Sequence, residues 1–266
     1  VYTTGVFSGT ADFDPGTGTF DLTSSGSSNI FISKLDVSGN FIWAKQIEGT
    51  IYGDSQSIAV DPAGNVYLTG YFQETVDFDL GAGTFYLTSA GGYDIFVTKL
   101  DNFGNLVWAK QMGGLNYESS VSIAVDPTGN VYLTGFFEST VDFDPGSSTF
   151  NLSSVGEYDI FVTKLDALGN FVWAKQMGGL SSDYGLSIAV DMSGNVYTTG
   201  FFQETADFDP SDGVFSLSSA GKRDIFVHKM SQDNFSIQDN QSNNFNLRVY
   251  PNPSHGVFQI NHNNTR

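Results

Sequence analysis

The sequence contains no cysteine, which excludes disulfides and thiolate metal sites. Cations are scarce. Lys and Arg together number 11, against 29 Asp and Glu, for a formal net charge of −18 over 266 residues. A chain so short of positive charge cannot neutralise a phosphate backbone, and its carboxylates repel nucleic acid and anionic membrane surfaces. Histidine is rarer still, at His228, His255 and His262. No Ser-His-Asp set, His-rich metal spacing or phosphate-cradling glycine loop is present, so no catalytic, cofactor-binding or metal residue is assigned, and the chain is expected not to be an enzyme. No apolar run approaches the ~20 residues of a membrane-spanning helix. Ala, Leu, Glu and Lys never gather at a 3.6-residue period, which argues against helices.

What the chain has is glycine, aromatics and repetition. Thirty glycines and 24 phenylalanines accompany a 40% hydrophobic content, ample for the core of an all-β protein. Tyr2, Tyr67, Tyr132 and Tyr197 stand 65 residues apart, each in a Val-Tyr-x-Thr-Gly segment. Trp43, Trp108 and Trp173 keep the same period, as do the Asp-Phe-Asp triplets that begin at Asp12, Asp77, Asp142 and Asp207. A fixed period without insertions marks units that cannot bury their apolar surface alone and must stack on one another. The repeats span residues 1–230, with units starting near Val1, Val66, Val131 and Val196.

Each unit contains two hairpin signals. Ser57–Asp61 and Val66–Phe72 flank the turn Asp61-Pro62-Ala63-Gly64-Asn65, in which Asp61 accepts turn amides, Pro62 presets φ and Gly64 supplies a left-handed residue. Asp94–Leu100 and Leu106–Met112 flank the related turn Asp101–Asn105. Apolar residues occupy both alternating faces, Ile95 and Val97 against Phe96 and Leu100, so both sheet faces are expected to be buried. Four-stranded antiparallel sheets in tandem are the blades of a β-propeller. About three and a half units fall short of the ~4 blades of the smallest closed propeller, which predicts an incomplete one. The 65-residue unit also exceeds the usual blade of ~40 to 50 residues. Its excess, from the Asp-Phe-Asp triplet to Thr84–Thr88, reads as an inserted β excursion. Gly5, Gly70, Gly135 and Gly200 share one strand position and predict close backbone approach, as near a propeller axis.

The Asp-x-x-Gly-Asn-Val-Tyr hairpin, the Asp-Ile-Phe-Val-x-Lys-Leu strand and the Trp strand followed by Gly-Gly resemble the SBBP family of bacterial β-propeller repeats over residues 1–230. The Asp-Phe-Asp insert departs from the commoner pattern. The resemblance implies architecture and little about activity.

After the repeats, residues 231–244 are rich in Gln, Asn, Asp and Ser and read as a linker. Residues 245–266 carry Val249-Tyr250-Pro251-Asn252-Pro253 and an alternating Phe258-x-Ile260 strand. These resemble the opening of the type A C-terminal sorting domain of the Bacteroidetes type IX secretion system, here truncated. That resemblance implies the type IX machinery as a partner and an extracellular or outer-membrane surface location. The reading frame is expected to continue beyond both ends, since Val1–Gly5 matches the middle of a repeat.

Two repeated features invite a site. Each Asp-Phe-Asp places two carboxylates on one side of a strand, a possible start for calcium, which needs ~6 to 8 oxygens. Alternation alone also explains the spacing, with Phe13, Phe78, Phe143 and Phe208 buried and the acids solvated. No cofactor is assigned on this basis, and calcium stays open. The recurring Lys34, Lys99, Lys164, Lys229, Lys45, Lys110 and Lys175 read as weak ion pairs beside Asp36, Asp101 and Asp166, or as solvated edge charges. His228 replaces the Thr of Thr98 and Thr163 and reads as surface drift. The expected function is a secreted or cell-surface interaction or adhesion scaffold for an unidentified protein or glycan. Tyr71, Tyr86, Tyr93, Tyr117, Tyr158 and Tyr184 are candidate contact residues. The alternatives are an accessory domain of a secreted glycan-degrading or proteolytic enzyme, and a calcium-stabilised surface array.

Overall fold

The computed structural model describes residues 1–48 and 53–231. The linker beyond Ser231 and the Val-Tyr-Pro-Asn-Pro segment lie outside the described residues. Among the described residues every regular element is a strand. The first unit contributes β1 (Tyr2–Phe7), β2 (Thr10–Asp12), β3 (Asp21–Thr23), β4 (Asn29–Leu35) and β5 (Phe41–Ile47). The second contributes β6 (Gly53–Val60), β7 (Val66–Phe72), β8 (Thr75–Asp77), β9 (Tyr86–Thr88), β10 (Asp94–Leu100) and β11 (Leu106–Gly114). The third contributes β12 (Glu118–Val125), β13 (Val131–Asp142), β14 (Asn151–Leu165) and β15 (Phe171–Gly179). The fourth contributes β16 (Tyr184–Val190), β17 (Val196–Phe202), β18 (Thr205–Asp207), β19 (Ser216–Ser218) and β20 (Asp224–Met230).

Strands β6-β7-β10-β11 form an antiparallel four-stranded blade, and β12-β13-β14-β15 form the next. The flanking units show three strands each, β1-β4-β5 and β16-β17-β20. A blade therefore opens at Gly53 or Glu118, ahead of the Val-Tyr segment, and Val66 and Val131 begin its second strand. Among the described residues no sheet closes on itself, which fits an incomplete propeller.

The turns form as their chemistry dictates. Gly64 and Gly104 have φ of 85° and 77°, the left-handed region where a side chain is costly. The Asp61 carboxylate accepts the Asn65 amide at 2.9 Å, the Asn65 side chain at 2.7 Å and the Tyr67 hydroxyl at 3.1 Å. Asp36 and Asp191 are held below the ordinary carboxylate range, chiefly by the side-chain amides of Asn40 and Asn195.

The core lies between blades, as two-faced strands require. Val66, Leu68 and Phe96 pack on Ile30, Ile32 and Ile47 of the first blade. Tyr67, Ile95 and Val97, pointing the other way, pack on Val131, Leu133 and Phe161 of the third. The pattern repeats between the third and fourth blades. Each fully buried large side chain contributes about 1.5–3 kcal/mol, so a blade separated from its neighbours would lose most of its stabilisation.

Strands β8 and β9 form the inserted hairpin, and it does more than cap one face. The end of each fourth strand pairs with the hairpin of the following unit: Gly113 with Asp142, Gly114 with Val141, Gly178 with Asp207 and Gly179 with Ala206. Glu48 and Asp77 make the corresponding bridge between the first two blades. Backbone hydrogen bonds thus strap neighbouring blades together.

The shared strand glycines have a different cause from the one expected. A Cβ on Gly70, Gly135 or Gly200 would overlap the carbonyl of Asp54, Ser119 or Tyr184 on the adjacent strand of the same blade, with a phenylalanine ring on the other side. A register shift between Ser55 and Ser57, and its copies, pushes that carbonyl inward. The close approach is a β-bulge within the blade.

Candidate functional site

The Asp-Phe-Asp acids are engaged by the backbone. Asp77 Oδ1 accepts the amides of Asp79 at 3.0 Å and Phe85 at 2.7 Å, and Asp79 Oδ1 accepts Gly81 at 2.8 Å. The same bonds recur at Asp12, Asp142 and Asp207. Phe78, Phe143 and Phe208 are fully buried and Phe13 half-buried. The pairs shape the inserted hairpin, and no group of three or more metal-ligating side chains gathers among the described residues.

Lys45 and Lys110 act electrostatically on the turn aspartates of the following unit, Asp101 and Asp166, and Lys164 lies near Asp126. Lys34, Lys99, Lys164 and Lys229 lie over the rings of Tyr2, Tyr67, Tyr132 and Tyr197, directly across the strand pair, with ammonium-to-centroid distances of 5.1 to 5.3 Å. Lys34 also donates to the Asn102 carbonyl at 3.0 Å, and Trp108 Nε1 reaches the Ala167 carbonyl at 3.4 Å, so both residues tie one blade to a turn of the next. His228 is fully buried, contrary to the surface reading. Burial pushes its imidazole down to about 4, which leaves it neutral. Thr98 and Thr163, at the same position, donate to Trp108 and Trp173 carbonyls.

Five of the six candidate tyrosines lie in two ring clusters at successive seams. Tyr71 meets Tyr93 at 5.0 Å between ring centroids, and Tyr93 meets Tyr117 at 5.3 Å. One unit later Phe136 meets Tyr158 at 5.3 Å and Tyr184 at 4.7 Å, Tyr158 meets Tyr184 at 5.6 Å, and Tyr184 meets Phe201 at 4.8 Å. The guanidinium of Arg223 lies 4.4 Å over Phe201 and ends the row. Tyr86 stands apart on β9, beside a groove of about 570 Å³ that Lys45, Glu48, Asp77 and Asp79 also line.

This aromatic ladder follows the blade seams, since Tyr71 and Tyr93 belong to the second unit and Tyr117 to the start of the third. Its rings are half-buried, except Tyr117, which is 50% exposed. Sequence reading found the tyrosines but missed Phe136 and Phe201. The available signal was the 65-residue period, which puts them at the position of Tyr71. The Tyr158 hydroxyl is pushed up by burial, with Glu138, Tyr184, Tyr117 and Glu157 adding to it, which places two acids beside the ladder. Asp54 lies similarly near Tyr71.

Beneath the ladder are acids that sequence reading did not single out. Asp94 and Glu118 are fully buried at the seam between the second and third blades, and Asp159 and Asp183 repeat them at the next. Burial drives all four upward, Asp94 and Asp159 to about 6, Asp183 to about 7 and Glu118 to about 8, with Asp94 and Glu138 adding to the shift of Glu118. Asp94 Oδ1, Asp159 Oδ1 and Glu118 Oε1 have no hydrogen-bond partner. The signal was weak, because one acid of each pair sits in a strand motif and the other follows the Gly-Gly pair after a short loop.

Comparison with known proteins supports the repeat architecture. A family model described as a β-propeller repeat, SBBP, matches residues 42–71, 107–135 and 172–200. Each match runs from the fourth strand of one blade to the second strand of the next, so it covers a seam. An uncharacterized WD repeat-containing protein of Acanthamoeba polyphaga mimivirus is 29% identical over 201 residues, which cover 66% of this chain and 14% of that protein. The regulatory protein FlaEY of Caulobacter vibrioides is 26% identical over 215 residues, covering 76% of this chain and 22% of the relative. The chain thus spans less than a quarter of the length of either curated relative.

Proposed function

We propose that this β-propeller repeat chain is a non-enzymatic interaction scaffold whose recognition surface is the aromatic ladder along its blade seams. The observation that carries the reading is the recurrence of ring clusters at successive seams, Tyr71-Tyr93-Tyr117 and Phe136-Tyr158-Tyr184-Phe201. Half-buried rings are held in contact within each cluster by β-strands, so a partner meets rigid, repeated contact surfaces at low entropic cost. A repeat protein offers such extended surfaces by construction. The names of the relatives, a WD repeat-containing protein and a regulatory protein, accord with a scaffold role.

The test is affinity enrichment from cells that express the parent protein, with the wild-type chain against one carrying Tyr93→Ser, Tyr117→Ser and Tyr158→Ser. A partner retained by the first and lost by the second, with the β-sheet circular dichroism unchanged, supports the reading. Partners retained equally by both remove the ladder as the recognition surface.

The scaffold is further proposed to act outside the cell, at the outer-membrane surface or beyond it. The Val249–Pro253 segment supports this through its similarity to type IX sorting domains. Protease accessibility of the parent protein on intact cells, with and without residues 245–266, tests it. Equal protection of both forms would sink the export reading.

A further inference from the structure

The ladder already stacks one cation. Arg223 stands one period after Tyr158 and two after Tyr93, and its guanidinium covers Phe201 at 4.4 Å where the earlier units place a tyrosine beside Tyr71 and Phe136. A guanidinium and a phenol ring are therefore interchangeable rungs of one structure. Both are flat, and the ring quadrupole attracts a cation over its face.

The surroundings favour an incoming cation. Glu138 stands directly opposite Tyr158 in the pairing of β13 with β14, and Glu157 precedes Tyr158 in the chain. Glu157 accepts the Ser182 hydroxyl, which fixes its carboxylate at the seam. Asp54 stands opposite Tyr71 in the same way. At the middle of the ladder no basic residue occupies these rungs, and with a net charge of −18 the chain's long-range field also draws positive groups inward.

Resting on the reading of the ladder as a recognition surface, we propose that it binds an arginine-bearing segment of a partner protein, with guanidinium groups stacked on Tyr117, Tyr158 and Tyr184 and paired with Glu138 and Glu157. Arginine is favoured over lysine because its planar fork can stack on a ring and bond a carboxylate together. A neutral glycan would stack on the rings and donate hydroxyls to the carboxylates, but would gain nothing from their negative charge.

The experiment is fluorescence anisotropy of the full chain with a labelled Gly-Arg repeat peptide, a Gly-citrulline peptide of equal length and a neutral hexasaccharide. The Arg peptide should bind about tenfold or more tightly than the citrulline peptide, and more weakly as salt rises. Glu138→Gln with Glu157→Gln should weaken the Arg peptide about tenfold. Tyr117→Ser, which leaves the charge of the chain unchanged and alters an exposed ring, should weaken it severalfold. Equal binding of Arg and citrulline peptides overturns the proposal, as does preference for the hexasaccharide. Undiminished binding to Tyr117→Ser and to the double Gln variant also overturns it, since attraction would then come from overall charge. Were a cellular partner to depend on the ladder while the Arg peptide failed to bind, this inference would fall and the scaffold reading would stand.

Discussion

Gly113 and Asp94 compete for one place: a Cβ on Gly113 would overlap the Asp94 carboxyl group, which lies folded over strand β11. In that position Asp94 Oδ2 accepts the Ala90 amide at 3.0 Å and the Gln111 side chain at 2.7 Å, closing the end of the inserted hairpin. Gly178 and Asp159 repeat the arrangement. In the first unit the same two positions hold Glu48 and Asn29, so both members change together.

Gly113→Ala should therefore destabilise the chain by about 2 kcal/mol, because the displaced carboxylate loses its partners and the strap to β13 is disturbed. Asp94→Ala alone should also destabilise it. The double variant should be more stable than the sum of the two losses, with a coupling of about 1 kcal/mol, as expected for groups in contact. Urea unfolding of the four proteins measures this, and strict additivity would contradict the geometry.

The buried seam acids give stability an unusual pH dependence. Glu118, Asp183, Asp94 and Asp159 titrate higher in the folded chain than in the unfolded one, so the folded state binds more protons. Their contribution is complete below the ordinary carboxylate range and is lost as pH rises through about 6 to 8. The turn aspartates, such as Asp36 and Asp191, act in the opposite sense and lose their contribution only in strong acid. The melting temperature should thus peak near pH 5 and fall by several degrees toward pH 9. Glu118→Gln, which can still accept the Gly114 amide, should flatten the alkaline side. A melting temperature constant from pH 5 to 9 would show that these acids are ionised and compensated.

A left-handed residue recurs at one position in every unit, just past Phe7, Phe72 and Phe202 and within β13. Gly9 occupies it in the first, whereas Glu74, Ser139 and Glu204 adopt φ of 64°, 62° and 54°. A side chain in this region costs about 1 kcal/mol, partly offset in the unfolded state by its restricted backbone. Glu74→Gly and Glu204→Gly are expected to stabilise the chain by about 0.5 kcal/mol each. Chemical denaturation would detect the sum in the double variant, and a loss of stability would refute the strain argument.

Much of the fold is legible in the sequence because its physical determinants are local and repeated. Asp61, Gly64 and Asn65 specify their turn unaided, and alternation in Ile95–Leu100 announces a strand buried on both faces. What escapes is whatever depends on one unit meeting the next. The pairing of Gly113 with Asp142 joins residues whose own motifs contain no mark of each other. His228 is buried although its own motif carries no mark of burial, and the contact of Tyr93 with Tyr117 joins the second unit to the third. Lys99 looks like the partner of Asp101 because adjacency in sequence suggests it, while the strand register places it over Tyr67. The candidate site is less legible than the fold for the same reason.

The glycine at the bulge offers the sharpest test of that architecture. A methyl group on Gly135 would meet the Ser119 carbonyl on one side and the Phe161 ring on the other, and a backbone oxygen inside a four-stranded blade cannot yield as a flexible side chain can. Gly135→Ala should cost about 3 kcal/mol and lower the unfolding midpoint accordingly. Gly221→Ala, where nothing lies within 4 Å of the added atom, should be neutral or slightly stabilising. Because Phe161 is shared with the core between the second and third blades, the loss at Gly135 should also speed exchange of the Val131–Leu133 amides in hydrogen-exchange measurements. Equal midpoints for the two alanine variants would mean that the bulge is absent and that the strands pair in a different register.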